Sequence, residues 1–184
     1  DLEEELKTVL DRARKDVKRL KEELERILEE VKRMVEELDK RLEDLDEEVR
    51  EKVKRLIDEK KDVEEARKKL KEVLEDSRRL SEEAHRINRK VLKDVEKLIR
   101  DVERILEEVI RRVEKLIEEV KRITDERDVK RVLREAEELL KRVRDLVEKV
   151  LREIKRILEE VEELNRRIIR TSREILKRVE EEVK

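Results

Sequence analysis

The chain has 184 residues, of which 60% are charged and 35% hydrophobic; it contains no Gly, Pro, Cys, Trp, Tyr or Phe. Without cysteine there is no disulfide or thiolate chemistry, and without aromatics nothing stacks on a nucleic-acid base. Lys and Arg number 54 against 56 Asp and Glu, a net charge of -2, and the signs alternate along the chain, so no basic stripe is expected to track a phosphate backbone.

High charge with low hydrophobicity normally favours disorder. Here the apolar residues recur with a helical period, and the charged residues are strong helix formers, so a folded all-α chain is expected. No apolar run approaches ~18 residues, so no membrane span is expected. No signal-peptide pattern is expected either, and localisation stays open.

The first segment, about 1–57, carries an apolar stripe that includes Ala13, Met34, Val35, Leu38, Leu42, Leu45, Val49 and Val53. Its spacing loosens near "LDKRLEDLDEEV" at 38–49, where Asp39, Asp44 and Asp46 leave room for a hidden break. The second segment, about 63–123, has the clearest rhythm. Leu92, Val95, Ile99, Val102, Leu106, Val109, Val113, Leu116, Val120 and Ile123 follow steps of three and four. That is a heptad seam, which favours left-handed coiled-coil packing. A third apolar position often joins it, as in Leu98/Ile99, which suits a helix with two neighbours. The third segment covers about 129–184.

The rhythm fails twice, at "IDEKKDV" (57–63) and "ITDERDV" (123–129). Each offers an N-cap oxygen, Asp58 or Asp62 in one and Thr124 or Asp125 in the other, before the pattern resumes. Gaps this short join antiparallel helices. The sequence therefore predicts one elongated, antiparallel, up-down-up three-helix bundle over 1–184, each helix roughly 85–90 Å long. One continuous coiled-coil rod is the alternative, but it does not account for two matched phase breaks.

"DSRRLSEEAHRIN" (76–88) is the one polar interruption of a stripe. Extended back from Leu92, the seam passes through Asn88, His85, Ser81 and Ser77 before Leu74, with Leu80, Ala84 and Ile87 on the flank. A fold about residue 126 puts Ser81 near Thr171 and Ser172, and Asn88 near Leu164 and Asn165. A fold about residue 60 brings the same layers to Leu38, Asp39 and Leu42. The uncharged polar residues thus converge on one stretch of the bundle.

Three readings compete for this cluster. A zinc site wants four N or S ligands, and one His without Cys is poor for it, even with Asp39 and Asp46 as oxygen donors. An acyl-transfer triad needs an oxyanion hole, and an unbroken helix has no free N–H to supply one. No enzymatic activity, catalytic residue, metal or cofactor is therefore expected. Surface exposure through an error of register is the second reading. The third, preferred here, is a buried hydrogen-bond network of Ser77, Ser81, His85, Asn88, Asn165, Thr171 and Ser172. A Leu/Val/Ile bundle slides by a heptad at little cost, whereas a satisfied polar layer penalises every wrong register.

A surface of Asp, Glu, Lys and Arg over a Leu, Ile and Val core, with matched turns and this polar layer, resembles computationally designed helical bundles that carry buried hydrogen-bond networks. The turns depart from the usual pattern in lacking Gly and Pro. The resemblance implies a structural scaffold with no natural substrate and no required partner. The alternative is an interaction module whose helices pair with a second copy or a designed helical partner.

Overall fold

The computed structural model describes residues 2–60, 63–123 and 125–183. Three α-helices follow one another, α1 (Leu2–Glu59), α2 (Glu64–Val120) and α3 (Glu126–Val183). They pack together as an all-α three-helix bundle, with no strand among the described residues. The helices begin and end within three residues of the sequence-based bounds. Neither a single uninterrupted helix nor a break at 38–49 is present, since α1 runs through Asp39, Asp44 and Asp46 without interruption.

The helix ends show how such a chain turns without glycine. No described residue has a positive φ, so the left-handed cap that glycine usually supplies is not used. Instead the last turn of α2 tightens. Arg122 N–H donates to the carbonyl of Glu119 at 3.1 Å and Ile123 N–H to that of Val120 at 3.0 Å, both three residues back. Bonds of this type satisfy carbonyls that the helix end would otherwise orphan. At the start of α3, Asp125 Oδ1 accepts from Arg127 N–H at 3.1 Å, the geometry of an N-cap. Glu64, Glu65, Glu126 and Asp128 lie in first turns, where the helix dipole favours negative charge. Asp58 lies inside α1 and caps nothing. Asp62 and Thr124, the other expected caps, are outside the described residues.

The chain forms two compact units. One comprises 1–30 with 94–155, the other 31–93 with 156–184. In the first, Leu24, Leu28, Ile99, Leu106 and Ile154 are almost wholly buried. Arg14 meets Glu114 at 3.1 Å and Lys21 meets Glu107 at 3.3 Å, so α1 and α2 run antiparallel. An ion pair joins Arg144 to Asp16, and α3 runs parallel to α1. Near its end the seam of α2 departs from the expected positions: between Val113 and Val120 it passes through Ile117, while Leu116 and Ile123 are only partly buried.

The second unit repeats the arrangement, with Arg173–Glu48 at 3.4 Å and Lys52–Glu180 at 3.5 Å linking α1 to α3. Leu45, Val49, Val53, Leu70, Val73 and Leu176 form its apolar cluster. Fully burying one such side chain is worth ~1.5–3 kcal/mol. Ala66 and Ala84 fall on its buried stripe and let the backbones approach.

Candidate functional site: a buried polar layer

The second unit holds every buried polar residue of the chain's described part: Ser77, Ser81, Asn88, Asn165 and Ser172. They sit where the 3–4 seam of α2 and α3 demands apolar residues. On α2 the buried series is Val73, Ser77, Ser81, Ala84, Asn88, in steps of four, four, three and four. Two expectations are thereby corrected. Ala84 occupies the core position and His85 stands beside it, partly buried. Thr171 is exposed, because the stripe of α3 passes from Asn165 to Ser172, one heptad apart, and Thr171 lies about 100° round the helix from Ser172.

The centre of the layer is a reciprocal amide pair. Asn88 Nδ2 donates to Asn165 Oδ1 at 3.0 Å, and Asn165 Nδ2 donates to Asn88 Oδ1 at 2.8 Å. The remaining N–H of each amide is also placed. Asn88 Nδ2 donates to Asp39 Oδ1 at 3.1 Å, and Asn165 Nδ2 to the Val161 carbonyl at 2.8 Å. All four amide N–H groups are therefore used. The two outer acceptors also fix which way each amide points, since neither Asp39 Oδ1 nor a carbonyl can donate to a flipped amide oxygen.

α1 supplies the acceptors on the flank. Asp39 Oδ1 lies 2.8 Å from His85 Nδ1. A carboxylate only accepts, so Nδ1 carries the proton and donates. Ser81, wholly buried, donates through Oγ to Asp46 Oδ1 at 2.7 Å. Both aspartates are half-buried, so each carboxylate keeps a wet side while it serves the core. Isolated in a core, such charges would be very costly; at its edge they supply acceptors at a smaller desolvation cost.

Asp46 is the residue that sequence reasoning misplaced. A fold about residue 60 sets Ser81 opposite Asp39; its partner is Asp46, one heptad nearer the turn. Two causes act together. The turn lies slightly later, between Glu59 and Glu64. Side chains also lean toward their own helix N-terminus, so on antiparallel helices an α2 residue meets an α1 residue closer to the turn. A usable signal was present in the sequence. Asp39/Asp46, Ser81/Asn88 and Asn165/Ser172 are three polar pairs, each separated by one heptad.

The layer is not uniform. Ser77 Oγ and Ser172 Oγ are buried and have no hydrogen-bond partner among the described residues. Such a group costs ~1–3 kcal/mol.

Elsewhere the surface is open. A groove of about 560 Å³ is lined largely by charged side chains, including Arg41, Asp44, Arg170 and Lys177. Among the described residues no three His, Cys, Asp or Glu side chains converge to hold a metal. No described helix is long and apolar enough to cross a membrane. Comparison with protein families, with curated proteins and with solved structures gives no match.

Proposed function

We propose that the chain is a designed structural scaffold, a helical bundle without enzymatic activity whose register is set by the polar layer. The observation that carries this reading is the closed accounting at Asn88 and Asn165, where four amide N–H groups meet four acceptors from three helices. A shift of α2 or α3 by one heptad would bring Ser81 or Val95 to the place of Asn88, or Leu158 or Ser172 to that of Asn165, and break the reciprocal amide pair. The layer confers specificity more than stability, since well-packed apolar residues can match or exceed such groups energetically.

The single bland alphabet of the surface, the lack of aromatic residues and the heptad-matched polar pairs support a designed origin. The alternative is a helical interaction module that assembles with a second copy or another helical chain. Ile105 and Leu146, 39% and 36% exposed, are apolar positions that such a partner would cover. Light scattering at two concentrations separates the two. A constant mass of 22.6 kDa supports the self-contained scaffold, and a mass that rises with concentration supports the module.

A further inference from the structure

We propose that a small cavity in the second unit binds one ordered water molecule, which links Ser77 Oγ to the carboxylate of Asp46. Two independent observations converge on it. Ser77 is 5% exposed, and its hydroxyl has no partner among the described residues. A cavity of about 10 Å³ lies against the same residue, lined by Asp46, Val49, Arg50, Leu74, Ser77 and Arg78.

Size selects the occupant. A site needs about 10–15 Å³ to take one water, so this cavity holds a single water and nothing larger. Charge selects it as well. Arg50 and Arg78 disfavour a cation, Asp46 disfavours an anion, and a neutral molecule that both donates and accepts suits all three. The partners suffice for such a molecule. Ser81 uses Asp46 Oδ1, which leaves Oδ2 to accept from the water. The Ser77 hydroxyl either donates or accepts, and Arg50 and Arg78 line the same cavity. Buried waters typically make 2–4 hydrogen bonds, and this set meets that number.

With the water in place, Asp46 joins two serines one helical turn apart, Ser81 directly and Ser77 through the solvent molecule. The site is distinct from the register reading above. It follows from one hydroxyl and one cavity, and it stands whether or not the layer controls helix alignment.

An atomic-resolution crystal structure of the full chain tests it, together with water–protein cross-relaxation in solution. The expected result is a density peak within hydrogen-bond distance of both Ser77 Oγ and an Asp46 oxygen, with a long-lived water signal at Ser77. Both are lost in Ser77→Ala, whose fold is checked by its unchanged helical spectrum. An empty cavity with Ser77 Oγ turned onto the Val73 carbonyl overturns the proposal. So does an Arg50 or Arg78 guanidinium filling the space and bonding Ser77 directly, or a water signal that survives in Ser77→Ala.

Discussion

Replacing Asn88 with leucine keeps the branching at Cγ but removes every polar atom. The structure then orphans two groups on Asn165: its Oδ1, which accepts from Asn88, and one Nδ2 hydrogen, which donates to Asn88. Each buried group without a partner costs ~1–3 kcal/mol, so the gross penalty is ~2–6 kcal/mol. The buried leucine returns ~1.5–3 kcal/mol. The net expectation for Asn88→Leu is a loss of ~1–3 kcal/mol, and Asn165→Leu should behave alike. The double variant leaves no orphaned amide group at this pair. Asp39 loses one donor but keeps His85 and its wet side. Its stability should equal or exceed that of the parent. The pair therefore has a coupling of ~2–6 kcal/mol, the sum of the two single losses, at or above the upper end of what residues in one bonded unit typically show. Denaturant unfolding of the four chains measures it. Single variants as stable as the parent, or a double variant whose loss is the sum of the singles, would refute the reasoning.

Other substitutions test the account away from this pair. Ser172→Ala removes a buried hydroxyl that has no partner and should raise stability by about 1 kcal/mol; a loss of that size would show that the hydroxyl is bonded. Asp125→Ala removes the N-cap of α3 and should cost ~0.5–2 kcal/mol, seen as reduced amide protection in the first turn, whereas unchanged protection argues against the cap. In the first unit, burial, then a hydrogen bond and the like charge of Glu25, raise the Glu103 pKa above its ordinary 4.5 despite the opposing Arg100. The folded state thus holds this proton more tightly than the unfolded chain, and its contribution to stability is present below pH 4.5 and fades as pH rises through the folded value. Glu103→Gln should therefore gain on the parent with rising pH, being equal to it in acid and more stable at neutrality, and a pH-independent difference would rule this out.

Much of the architecture was readable because a heptad rhythm carries both period and phase. The breaks after Ile57 and Ile123 located the turns to within three residues, although α2 stops at Val120 because its final turn tightens. The phase of Ser77, Ser81, Asn88, Asn165 and Ser172 puts them on the buried stripes. Thr171 and His85 were less legible, since a stripe three residues wide does not say which of two adjacent positions points inward. Ala84 took the inner position that His85 seemed to hold. The partners of the layer were the least legible part. Register across antiparallel helices depends on the turn and on side-chain lean, and a small error in each moved Asp46 out of view by a heptad. Even so, Asp39 and Asp46 repeat the spacing of Asn88 and Ser81. A charged pair at core-flanking positions, matched in period to a polar pair on another helix, is a signal that later readings of such chains can use.

Helix register is the quantity the polar layer is held to control. With no native cysteine, nitroxides can be placed through Glu37→Cys on α1 and Lys177→Cys on α3, both exposed and both in the second unit. One heptad of slip moves a helix by roughly 10 Å along its axis, which pulsed electron resonance resolves. The comparison is between the parent and a chain carrying Ser81→Ala, His85→Leu, Asn88→Leu and Asn165→Leu. The account predicts one narrow distance in the parent and, in the apolar chain, an added population displaced by about 10 Å, with no loss of helix content. A single unshifted distance in both chains would contradict it, and would assign register to the turns alone.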